Sequence, residues 1–141
     1  MSSEQSSRCI PTAWIVIVSI ISSPSYASIG DVPWPFRRDV QCMINVLKKT
    51  PRVDKAESGA VFDNGWKHPF VQYRYQEQDG RTGTVRFVAQ KLNASKDTIL
   101  YQAFLNGLTT PSGPPPPTLG AAEIAQQWDL QCKVPAMAIF V

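Results

Sequence analysis

The chain has 141 residues, a length that suits a single domain. Its formal net charge of +3 includes no run of like charges and no basic stripe, which argues against nucleic-acid binding. One histidine, three cysteines and no carboxylates clustered at ligand spacing point to no metal centre and no cofactor.

Residues 1–27 read as a cleavable signal peptide, to be set aside before any fold reasoning. Ala13 to Ile21 is apolar except for Ser19, a run too short to span a bilayer. A small-residue stretch ending Ser25-Tyr26-Ala27 follows, and Ser25 and Ala27 suit the −3 and −1 positions of a cut after Ala27. The single basic residue Arg8, offset by Glu4, makes a weak n-region, so an uncleaved anchor and a buried N-terminal strand are the rival readings. Cys9 precedes the apolar run and is not placed as a lipid-anchor cysteine. Removing residues 1–27 from the 141 leaves 114, enough for one hydrophobic core. It also leaves two cysteines, an even count that in an oxidising compartment predicts a Cys42–Cys132 disulfide. Two buried free thiols are the alternative.

A helix is predicted from Trp34-Pro35, because proline suits a first helical turn. Phe36, Val40, Met43 and Leu47 form its apolar stripe, Lys48 and Lys49 close its last turn, and Pro51 stops it. A strand is expected within Val53–Phe62, weakened by Gly59, followed by a turn at Asp63-Asn64-Gly65. Alternating apolar residues predict strands at Pro69–Glu77, Gly83–Lys91 and Thr98–Leu105. Residues 109–118 form a proline-rich connector with a stiff polyproline run. A second helix spans Gly120–Gln131, with Ala121, Ile124, Ala125, Trp128 and Cys132 on one face. The apolar tail from Val134 to Val141 reads as a last strand or a buried tail, since an exposed one would invite aggregation.

The central hairpin invites a register argument. An odd-length loop centred on Gly80 matches Tyr75 with Val85, Tyr73 with Phe87 and Val71 with Ala89. On the other face it sets Arg74 opposite Arg86, a destabilising pair of like charges. An acid from an adjacent strand, a bound anion, or splaying into solvent would each relieve it. With Gln72, Gln76, Gln90 and Gln102 this face is rich in donors, and a guanidinium fork suits carboxylate or phosphate. Arg74, Arg86, Gln72 and Gln102 are therefore the candidate ligand-binding residues.

Other candidates carry less chemistry. His68, placed in a loop by Gly65 and Pro69, is either a surface residue or a general base held by Asp63 or Glu77. Trp34 and Trp66 are either interface anchors or caps on the edge of the core. Asn93-Ala94-Ser95 fits an N-glycosylation triplet. Neither a phosphate-binding glycine loop nor a nucleophile elbow occurs.

The expected fold is α+β: two helices, joined by a disulfide, packed on one face of a three- to five-stranded antiparallel sheet. The expected function is a non-catalytic binding or inhibitory module of the cell envelope, with an envelope protein or an anionic ligand as partner. A structural or accessory envelope protein without soluble ligand, and a small enzyme using His68, are the alternatives. The expected location is the periplasm, an extracellular one fitting equally, with no stable membrane anchor after cleavage.

Overall fold

In the computed structural model, which describes residues 29–93, 96–105 and 118–141, the first described elements are two short 3-10 turns, Ile29–Asp31 and Trp34–Phe36. The expected signal peptide at 1–27, nearly all of the proline-rich connector, and Ala94 and Ser95 of the glycosylation triplet lie outside the described residues. Helix α1 runs from Arg37 to Lys48, so the proline start is a 3-10 turn that leads into the α-helix. Arg37 turns back to donate from Nε to the Val32 carbonyl at 2.8 Å, pinning the preceding turn against the helix start.

Strands β1 (Val53–Asp63), β2 (Trp66–Gln76), β3 (Thr82–Asn93) and β4 (Lys96–Leu105) form an antiparallel meander. The β1–β2 turn is Asn64-Gly65, with both residues at positive φ, +53° and +84°. That is the geometry two-residue hairpins require, and Asn-Gly is the pair that adopts it most readily. The β2–β3 turn is different. The Gly80 N–H donates to the Glu77 carbonyl, the Glu77 N–H to the Arg81 carbonyl, and Gly80 sits at φ +91°. This is a turn closed by a left-handed glycine bulge, so the loop centres on Asp79, not Gly80.

The one-residue difference moves the register by two. Tyr73 pairs with Val85, Val71 with Phe87 and Tyr75 with Gly83. The apolar faces still match, because a shift of two preserves the alternation. The polar face changes: Arg86 stands opposite Gln72, and Arg74 opposite Thr84. The expected confrontation of Arg74 with Arg86 does not occur.

Helix α2 (Ala121–Cys132) follows the connector, and β5 (Ala136–Phe140) joins the sheet beside β4. The β4–β5 pairing is parallel, because a helix intervenes and returns the chain to the same end of the sheet. The sheet is therefore mixed, not wholly antiparallel as expected. A disulfide joins Cys42 of α1 to Cys132 of α2, with Cα atoms 5.8 Å apart.

One core cluster unites the elements. It takes Val40, Met43 and Leu47 from α1, Ile124 and Trp128 from α2, and Val71, Tyr73, Phe87 and Tyr101 from the strands. Trp128 is fully buried, meets Phe87 edge-to-face at 4.9 Å, and donates from its indole to the Met43 carbonyl at 3.1 Å. The end of the connector is held as firmly. Leu119 donates its N–H to the Glu77 carboxylate at 2.6 Å and accepts from the Tyr73 hydroxyl at 3.0 Å. Gly120 follows at φ +61°, where a Cβ would meet the Tyr75 ring at 2.7 Å.

Two buried tyrosines in this core differ in one respect. The Tyr73 hydroxyl has its acceptor, whereas the Tyr101 hydroxyl is buried with no partner among the described residues. Burial pushes both hydroxyls up from the ordinary tyrosine range. An unmade bond to a buried donor costs about 1–3 kcal/mol, and a made one contributes about 1 kcal/mol. Tyr101→Phe should therefore leave stability unchanged or raised, while Tyr73→Phe should lower it by about 1 kcal/mol. Urea unfolding of the two variants beside the parent checks this contrast.

Candidate functional site

Along each strand the core residues alternate with a second set that faces away from the core. On β1, β2 and β3 this set includes a polar group of Lys55, Glu57, Gln72, Arg74, Thr84 and Arg86. Its centre is a hydrogen-bonded chain across three strands. Gln72 donates from Nε2 to Glu57 at 3.0 Å, and Arg86 donates from Nε to the Gln72 side-chain oxygen at 2.9 Å. The Arg86 guanidinium lies 3.9 Å from the centroid of the Phe70 ring, which is buried on this side of the sheet. A cation over an aromatic face is attracted by the ring quadrupole.

Arg74 is engaged separately. The backbone bulges at Asp54, between Val53 and Lys55, and the Asp54 carboxylate takes both Nε and Nη2 of Arg74. The hydrogen bond from Arg74 holds the Asp54 carboxyl below its usual range and raises the guanidinium in turn. An acid from the adjacent strand is thus the partner of Arg74. Between these groups lies an open depression of about 240 Å³ lined by Lys55, Glu57, Gln72, Arg74 and Thr84.

Gln72, Arg74 and Arg86 come together on this face, and Gln102 does not join them. It lies on β4 between Val88 of β3 and Met137 of β5. Its surroundings make up the second half of the face, which is apolar: Val88, Leu100, Phe104, Met137 and Ile139. Phe104 is 65% exposed and Met137 47%. The strand alternation carried this signal, since Leu100, Phe104 and Ile139 fall between the core positions of their strands.

His68 lies within β2, not in a loop, and is 5% exposed. Continuing the β2–β3 register would place Pro69 opposite Ala89, and proline has no N–H for the ladder. The His68 ring fills that gap, with Nδ1 2.9 Å from the Ala89 carbonyl. Nε2 lies 3.0 Å from the Asp63 carbonyl, so the expected tie to Asp63 runs through its main chain. The Asp63 and Glu77 carboxylates are not the ring's partners. Both ring nitrogens face backbone oxygens, which describes a structural clasp for a proline inside a strand.

The two tryptophans part company. Trp66 is half-buried, its ring tilted against His68 with centroids 3.9 Å apart, with Phe36 and the Lys91 ammonium nearby. Trp34 is 76% exposed, with the Arg37 guanidinium 4.8 Å from its ring. Among the described residues no group of three His, Cys, Asp or Glu side chains is placed to hold a metal ion. Among them, too, no helix is long and apolar enough to cross a membrane. No protein-family model, curated protein or solved structure matches this chain.

The His68 geometry makes a test of its own. His68→Ala removes the buried ring set between the Ala89 and Asp63 carbonyls, with the one that receives its N–H losing a donor, and should cost about 1–3 kcal/mol of stability. Chemical denaturation measures the loss. Stability equal to the parent's would remove the clasp.

Proposed function

We propose that the chain is an exported, non-catalytic binding module of the cell envelope, and that it meets its partner with the sheet face turned away from the core. In this reading both helices cover the opposite face, leaving five strands open to a ligand. The observation that carries it is the state of Arg86. Phe70 beneath it and the Gln72–Glu57 chain beside it hold the guanidinium in place. Its terminal amino groups meet no acceptor among the described residues, and the residue is exposed.

A guanidinium fixed in advance loses little freedom on binding and presents a planar fork to a carboxylate. The exposed Phe104 and Met137 share the face, and Arg, Met and aromatic residues are enriched where proteins meet. The combination favours a protein surface that sets an acidic group beside an apolar one. A small free anion is favoured less, because Arg74 already holds Asp54.

Export supports the setting. The apolar run from Ala13 to Ile21, with the small-residue stretch ending Ser25-Tyr26-Ala27, fits a signal peptide, and a disulfide of this kind suits an oxidising compartment. A periplasmic location fits both features.

The test is a cross-linking capture from an envelope extract, with parent, Arg86→Ala and Phe104→Ser proteins compared by their thermal unfolding beforehand. The parent should retain one partner in stoichiometric amount. Each variant should retain it at least about tenfold less well, the loss of roughly 1.4 kcal/mol. Equal retention by folded variants, or no partner at all, would contradict the proposal.

A further inference from the structure

The two outer edges of the sheet are built differently. β1 carries Asp54, Lys55, Glu57 and Asp63, bulges at Asp54, and packs against the Ile29–Asp31 turn. Charges, bulges and covering segments are the means by which natural edge strands avoid pairing with other chains. β5 carries no charge and no bulge, and among the described residues no segment covers its outer edge. Its sequence is Ala-Met-Ala-Ile-Phe, and among the described residues its only sheet neighbour is β4.

The hydrogen-bond pattern identifies which groups the open edge offers. The Pro135 carbonyl accepts from Tyr101 N–H, and Val141 N–H donates to the Leu105 carbonyl. Odd-numbered residues therefore face β4, and by alternation Ala136, Ala138 and Phe140 turn their N–H and C=O groups outward. Beside this edge is a groove of about 410 Å³ between β5 and α2. Ala122, Ala125 and Asp129 of α2 form one wall, and Ala136, Met137 and Ala138 the other. The two helix alanines leave room for a backbone to approach. Asp129 is exposed and meets no cation among the described residues.

We infer that this groove is a second docking site, which takes an extended polypeptide segment as an added strand on β5. The segment carries apolar side chains at alternate positions and a lysine or arginine that reaches Asp129. Main-chain bonds to Ala136, Ala138 and Phe140 supply the affinity, and the acid supplies the choice of sequence. A second copy of this chain fits less well. A two-fold axis through Ala138 would pair β5 with itself antiparallel and bring Phe140 and Val141 of the other copy to the Asp129 end. That arrangement buries a carboxylate among apolar groups with no cation to meet it. The site goes beyond the sheet-face reading and, of the residues named for that face, shares Met137 but not Arg86 or Phe104, so Arg86→Ala should leave it intact.

Fluorescence anisotropy with labelled octapeptides tests the site on the disulfide-bonded protein. The probes alternate valine and threonine and carry one lysine at successive positions, with glutamate replacing lysine in the control set. At least one lysine probe should bind at least about tenfold more tightly than its glutamate counterpart. Asp129→Lys should reverse that order. Ala138→Pro, which removes an outward N–H from an edge strand, should weaken binding at least about tenfold. Ala122→Trp, which fills the groove from the helix side and leaves the β5 sequence unchanged, should do the same, so that a folding defect in one variant does not decide the matter. Hydrogen exchange at Ala138 and Phe140 should slow in the complex. Equal binding of lysine and glutamate probes, or binding unaffected by both groove variants, would overturn the site. So would absence of binding by every probe at millimolar concentration, or a dimer of the protein that Ala138→Pro dissolves.

Discussion

The link between the two helices is the constraint on which the rest of this structure depends. Trp128 reaches from α2 to the middle of α1, where its indole donates to the Met43 carbonyl and its ring edge meets Phe87 on the sheet. A fully buried tryptophan of this kind removes enough surface from water to contribute about 4–6 kcal/mol. The Cys42–Cys132 bond spans a separation of 90 residues, for which the chain-entropy model gives on the order of 4–5 kcal/mol. The meander of β1 to β4 is built from neighbouring hairpins and needs little help to find its order. β5 is another matter. It can lie parallel to β4 only because α2 carries the chain back across the sheet, so whatever fixes α2 also fixes β5.

Much of this was legible in the residues. The apolar stripe of α1 is buried at Val40, Met43 and Leu47, as its spacing predicts. The Asn64-Gly65 turn, the alternating strands β2, β3 and β4, and the disulfide pairing also follow from sequence pattern. The register of the central hairpin differs by two from the expected one, because the loop centres on Asp79 and not on the glycine. In a turn of this type the glycine closes the loop, where a positive φ is needed. His68 lies in a strand and not in the expected loop for a related reason. Pro69 reads as a strand breaker, and nothing in the linear sequence shows that a neighbouring imidazole can stand in for the missing N–H. The direction of β5 was hidden as well, since a five-residue apolar strand reads the same in either orientation.

The candidate site was legible in composition but not in arrangement. Arg74, Arg86 and Gln72 do share a face, yet the two arginines have different fates. A backbone bulge delivers Asp54 to Arg74, and bulges leave no mark in an alternating pattern. Phe70 and Gln72 hold Arg86 from below and beside, and its terminal donors meet no acceptor among the described residues. Gln102 sits instead in an apolar field of Leu100, Phe104 and Ile139. The sheet face is thus divided, polar over β1 to β3 and apolar over β4 and β5. The apolar half owes its position to the crossover through α2, which returns the problem to the link between the helices.

Hydrogen exchange resolved by mass spectrometry, on the parent and on the Cys42→Ala, Cys132→Ala double variant, tests that dependence most directly. The account predicts that removing the disulfide lowers the protection of α2 and β5 first, while β2 and β3 keep most of theirs. A loss of protection shared evenly by all elements, or an α2 and β5 as protected as before, would contradict it.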